Sequence, residues 1–221
     1  LEFRRVLFRS IAVKPNCSIQ SYAPAFAAWK EFEPYEAIVT TYQAISGAGK
    51  NFKTWPEMVG NVIPYIGGEE EKSEKEPLRI FGSIQGNEIV PAKEPLISAQ
   101  CIRIPVLYGH TAAAFVKFRK APPSKEVLIE KLNNFSGIPQ KNNLPTAPKQ
   151  FIKYFEEDNR PQVALDVNYE GGMGVTIGRL RKDNIYDWKF VGLSHNTLRG
   201  AAGGAVECAE LLTSLKYIEA K

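Results

Sequence analysis

Between Ala99 and Leu107 apolar and polar positions alternate strictly, with Ile102, Ile104 and Val106 on one face and Cys101, Arg103 and Pro105 on the other. That is the period of a strand, and it turns Arg103 away from the aliphatic face. Thr111 to Arg119 repeats the pattern with Ala114, Val116 and Phe118 together, and Gly109-His110 makes a bend, so the two runs read as a hairpin-like pair. Ala37–Ile45 is dense in β-branched residues and ends in Ser46-Gly47-Ala48-Gly49, which predicts a strand followed by a glycine turn. Val163–Tyr169, Val175–Leu180 and Ile185–Leu193 read as further strands, with Gly171-Gly172-Met173-Gly174 as a hairpin turn. A short β-prone piece, Ile11–Pro15, feeds a helix that starts at Cys17 and runs to about Lys30, where Pro24 threatens a kink.

Helical spacing is clearest at the C-terminus. Leu198, Ala201, Ala202, Ala205, Ala209, Leu212 and Leu215 form one small or apolar stripe. Ser124 caps an amphipathic stretch to about Asn134, and a short helix is expected near Phe151–Phe155. The acidic run Glu69–Glu76 reads as a solvated helix start. Five or six strands interleaved with three or more helices, without repeated βαβ units, indicate an α+β domain with one helix-covered sheet.

Composition narrows the function. The 221 residues are 44% apolar and 24% charged, which excludes a disordered chain. The net charge of +4 is half concentrated in the first ten residues, where Arg4, Arg5 and Arg9 stand against Glu2, so no basic stripe for nucleic acid exists beyond them. No apolar run approaches the roughly 18 residues of a membrane span, and three cysteines make no disulfide framework, so a cytoplasmic protein is expected. Residues 1–10 resemble a translated cloning junction, with a basic amphipathic start as the alternative, and stand outside the fold reading.

Cys17 is the most suggestive single residue. At a strand-to-helix junction the helix dipole would favour its thiolate, whereas the alternative is a small buried hydrophobe. Cys101 and Cys208 fall in a strand pattern and a helical stripe, as packing residues do. Only His110 and His195 are available as neutral-range acid–base partners. No metal-binding spacing of Cys or His occurs, Gly47-Ala48-Gly49-Lys50 fails the phosphate-loop pattern at Ala44 and Asn51, and no dinucleotide fingerprint is present.

Taken together, Pro15-Asn16-Cys17-Ser18, Thr41 to Gly49, Cys101 to Val106 with Gly109-His110-Thr111, and Asn196 to Gly204 resemble aspartate-semialdehyde dehydrogenase in its archaeal and fungal branch. The resemblance runs from Ile11 to Lys221 and lacks the family's N-terminal Rossmann portion. It implies a fold like the C-terminal domain of glyceraldehyde-3-phosphate dehydrogenase, with a mixed, largely antiparallel sheet covered by helices. Residues 11–193 would form the catalytic and dimerisation domain, and 194–221 the helix returning to the nucleotide-binding portion.

By the same resemblance, Cys17 is the nucleophile, His110 the acid–base group, and Gln43 orients the intermediate. Arg103 clamps the substrate carboxylate, Glu76 pairs with its ammonium, and Asn16 and Arg79 contact phosphate. Ser46, Gly47 and Asn196 approach NADP. The implied reaction is the NADPH-dependent reductive dephosphorylation of L-aspartyl 4-phosphate, by a homodimer or homotetramer acting on a small molecule, with neither nucleic acid nor membrane as partner. The 221-residue chain alone is expected to bind NADP weakly and not to turn over. Malonyl-CoA reductase, which would use the same cysteine–histidine chemistry, and a non-catalytic dimerisation module are the alternatives. N-acetyl-glutamyl-phosphate reductase matches less well around His110.

Overall fold

In a computed structural model, residues 12–218 are described apart from Asn87 and Pro123; the expectations for residues 1–11 lie outside these. A 3-10 helix, Ser18–Ser21, leads into α1 (Ala23–Ala28) and the ten-residue strand β1 (Pro34–Gln43). Then come α2 (Glu69–Ile80), the small ribbon β2 (Ser83–Gln85) and β3 (Glu88–Val90), and the long strands β4 (Leu96–Arg103) and β5 (His110–Phe118). The remainder is α3 (Lys125–Asn133), α4 (Ile138–Lys141), β6 (Ile152–Phe155), α5 (Val163–Asp166), β7 (Val175–Lys182), β8 (Trp188–Ser194) and α6 (Ala202–Ser214).

Six strands form one sheet in the order β4-β1-β5-β8-β7-β6. The β1–β5, β5–β8 and β7–β8 pairs are antiparallel and the two outer pairs are parallel, so the sheet is mixed and largely antiparallel, as expected. Residues 18–32 cover one face. Ile19, Tyr22, Phe26 and Trp29 are buried there with Val39 of β1, Ala112, Ala114 and Val116 of β5, and Phe190 of β8. Trp29 meets Phe190 edge to face at 5.2 Å. Gly192 permits this close approach, since a Cβ there would collide with the Ser21 carbonyl.

Several expectations are corrected. The β4 and β5 strands are not a hairpin, because β1 lies between them. In β4 the buried face carries Ile97, Cys101 and Arg103, the reverse of the aliphatic reading, because α2 packs on that face and Ile102 is only half-buried. Residues 12–16 form no strand; Val13 is exposed, and nothing buried holds the segment extended. The first helix splits in two, and Pro24 sits in the opening turn of α1, where a missing N–H costs nothing.

Val163–Asp166 is a helical turn, closed by the Asp166 carboxylate accepting from the Gln162 N–H at 2.6 Å. Ile152–Phe155 is a strand, pairing with β7 and burying Ile152 and Tyr154 on one face. The glycine cluster at 171–174 overlaps a 3-10 turn, Tyr169–Gly172, that links α5 to β7, and makes no hairpin.

Candidate active site

Strand pairing gathers the polar residues at one end of the sheet. The parallel β1–β4 register sets Gln43 beside Arg103, and the antiparallel β1–β5 register sets Tyr42 opposite Thr111, one residue from His110. Period-two alternation then places Gln43, Arg103 and His110 on the same buried face as the core. Residues 16–21 cross that face and bring Cys17 down onto His110, with Sγ 3.3 Å from Nε2.

The proton on His110 has a defined place. The Ala44 N–H donates to Nδ1 at 3.0 Å, so a neutral imidazole carries its hydrogen on Nε2, facing the sulfur. Burial, with the Arg103 charge adding to it, drops this histidine to about 3, which keeps it neutral at physiological pH. His110 is thus the first buried residue of β5, not a residue of an exposed bend.

Cys17 departs from the thiolate expectation. Burial pushes its thiol above the ordinary value and the Glu69 carboxylate adds to the rise, while Lys14 and Arg103 pull it back. The helix it opens has only four residues, too short for a strong dipole.

Arg103 is buried, and Nη1 donates to the Ala44 carbonyl at 2.7 Å, the one hydrogen bond of its side chain among the described residues. The rest of the guanidinium fork is free to bind a planar anion. Gly47 stands over it: a Cβ there would lie 2.9 Å from Arg103 Nη1 and 3.2 Å from His110 Cε1. Asn196 donates through Nδ2 to Ser46 Oγ at 2.8 Å and accepts from the Gly109 N–H at 2.9 Å, which holds Ser46, Gly47 and Asn196 on one side of the cleft.

The first turn of α2 closes the other side. Asn16 Nδ2 donates to both Glu69 oxygens at 2.9 Å, and Gln43 Nε2 donates to Glu69 Oε2 at 3.2 Å. Glu69 therefore faces the cysteine, with Lys72 Nζ 3.3 Å away. Glu76, two turns on, spends Oε2 on the Asn16 backbone N–H at 2.7 Å and so supports the cysteine segment. Asn16 is committed as well, its Oδ1 accepting from the Ser18 N–H and hydroxyl. Arg79 is exposed in the last turn of α2, about 15 Å along the axis from Glu69, and does not join the group.

Sequence reasoning missed Glu69 and Lys72. The available signal was the spacing of Glu69, Ser73 and Glu76, which shares one helix face with the buried Pro77.

A cysteine and a neutral imidazole in contact, flanked by a buried guanidinium and a carboxylate on a sheet-based domain, are the groups that acyl transfer through a thiol requires. The chain belongs to the semialdehyde dehydrogenases, whose dimerisation-domain model matches residues 23–199. It is 42% identical over 209 residues to the aspartate-semialdehyde dehydrogenase of Schizosaccharomyces pombe, covering 91% of this chain and 58% of that protein. The malonyl CoA reductase (NADP) of Metallosphaera sedula is 37% identical, over 95% of this chain and 59% of its own length. The crystal structure of the Candida albicans aspartate-semialdehyde dehydrogenase with NADP superposes with a TM-score of 0.82 at 37% identity, covering 92% of this chain and 57% of that one. The chain thus spans just under three-fifths of the length of these relatives.

Proposed function

We propose that this chain is the catalytic and dimerisation portion of an NADP-dependent aspartate-semialdehyde dehydrogenase, which converts L-aspartyl 4-phosphate to L-aspartate 4-semialdehyde and phosphate in the cytoplasm. The observation that carries this reading is the 3.3 Å contact of Cys17 Sγ with His110 Nε2, set between Arg103 and Glu69. An amino acid carries one anionic and one cationic group, and the site offers one partner for each.

In this mechanism Arg103 takes the α-carboxylate through its unused donors, and Glu69 takes the ammonium. The ammonium neutralises the carboxylate that raises the thiol, so bound substrate itself favours the thiolate. The sulfur attacks the acyl carbon, the carbon–oxygen bond to phosphate breaks, and phosphate leaves with the thiol proton as an aspartyl thioester forms. Lys72 is the cation nearest Glu69 and is suited to the departing phosphate. The Nε2–H of His110 donates to the acyl oxygen as negative charge builds on it.

The residues fit the nicotinamide end of the cofactor: the missing Cβ of Gly47 leaves room above the imidazole, and Ser46 and Asn196 wall that side. NADPH, when bound, supplies the hydride that reduces the thioester. Residues 194–218, with α6, would pack on a nucleotide-binding portion. The outer sheet face, where Ile38 is exposed and Thr40, Tyr42 and Phe115 are half-buried, suits a second copy of the chain.

A second reading, malonyl-CoA reduction, is favoured by the relative at 37% identity, but a malonyl group has no ammonium for Glu69. Intact-mass measurement after incubation with each acyl donor separates them without cofactor. An aspartyl adduct on Cys17, absent in Cys17→Ser, is expected. A malonyl adduct alone would replace the first reading with the second, and no adduct from either would refute both.

A further inference from the structure

Helix α2 contains a proline, Pro77, one turn after the buried Ser73. Pro77 has no N–H, so the hydrogen bond it would return to the Ser73 carbonyl cannot form. That carbonyl lies in the buried interior, where an unmet acceptor is costly. The fully buried Tyr22 fills the role: its hydroxyl donates to Ser73 O at 2.9 Å. The Tyr22 ring is itself held edge to face against Phe26 at 5.9 Å.

Ser73 is tied on its side-chain end too. Its Oγ lies 3.5 Å from Ser18 Oγ and 3.7 Å from Cys101 Sγ. A single buried residue of α2 therefore meets two residues of the segment that follows Cys17 and one of β4. It stands one turn from Glu69 and one turn from Glu76, on the face that carries both carboxylates.

We propose that Tyr22 is a positioning residue for the cysteine chemistry: its hydroxyl replaces the donor that Pro77 removes from α2, and this locks Glu69 and Glu76 in register with Cys17. The lock rests on the functional reading only in giving Glu69 a substrate to bind. Its structural content is independent: α2 is pinned at mid-helix by the cysteine segment, and the proline makes that pin necessary.

The test is a cycle of four chains: unaltered, Tyr22→Phe, Pro77→Ala, and both together. Pro77→Ala restores the backbone N–H, so the hydroxyl becomes redundant. In the unaltered background Tyr22→Phe should lower the folding equilibrium constant about tenfold in denaturant unfolding, and in the Pro77→Ala background by less than about threefold.

The second readout is the pH profile of Cys17 alkylation, resolved by peptide mass spectrometry. Tyr22→Phe should move it to lower pH by freeing Glu69 from the sulfur, and should leave it unmoved in a chain that already carries Glu69→Gln. Equal stability costs in the two backgrounds, or a profile that Tyr22→Phe does not move, would overturn the proposal. If neither acyl donor labels Cys17, the functional reading fails while the unfolding cycle still decides the lock.

Discussion

His110 shows how far one backbone hydrogen bond constrains chemistry. The Ala44 N–H fixes the tautomer, burial fixes the charge, and both follow from the position of His110 as the first inward residue of β5. The same burial links the residue to stability. Its pKa is about 3 in the folded chain against an ordinary 6.5, so the unfolded chain binds the proton first as pH falls. Stability from this group is complete above about pH 6.5 and is lost as pH drops toward 3, by about 2 kcal/mol at pH 5. Denaturant unfolding between pH 7.5 and 4.5 should show this loss, and His110→Gln should flatten the slope by that amount. Parallel slopes for the two proteins would show that folding does not change the proton affinity of His110. Cys17 and His110, whose side chains meet, were legible because each type is rare in the chain and each sits in a distinctive short motif, Pro15-Asn16-Cys17-Ser18 and Gly109-His110-Thr111. The raised thiol was not, since it depends first on burial under the folded chain and then on Glu69, a residue 52 positions away in a run of like charges.

Helix α2 carries the largest difference between sequence and structure. Glu69 and Glu76 turn to the cysteine segment. Glu70 and Glu74 accept from the Cys101 and Ala99 N–H groups of β4 at 3.2 and 3.1 Å. Only Glu71 faces water, paired with Lys75. Because β4 is an edge strand, those two carboxylates cap donors that would otherwise invite another strand. Replacing both Glu70 and Glu74 with Ala should cost about 1–3 kcal/mol in unfolding and promote concentration-dependent association, read by light scattering. Unchanged stability and a monodisperse sample would show that the edge needs no cover. Charge composition could not separate these roles, because helical phase assigns them and the run is acidic at every phase. The α5 and β6 assignments failed for a related reason: short runs of five to seven residues fit either period, and Asp166 decided the first locally while pairing with β7 decided the second.

Across the whole molecule, the site exists because three strand ends and two helix starts arrive at one place. Strand order and register, which pattern alone misassigned by pairing β4 with β5, do that assembly. Of the C-terminal stripe, Ala202, Ala205 and Ala209 are exposed on α6 together with Val206, which the spacing did not include, while Leu198, Ala201 and Leu215 fall outside the helix; Glu207 turns inward to pair with Arg199, and Glu210 accepts from Thr146. On the proposed reading, acyl transfer to Cys17 would draw on all of this geometry and precede any hydride step. The direct measurement is therefore inorganic phosphate released on mixing the chain with aspartyl phosphate. The unaltered chain should release a rapid burst of about one equivalent, and Cys17→Ser should release none above the spontaneous rate. A burst of equal size from Cys17→Ser would contradict the account.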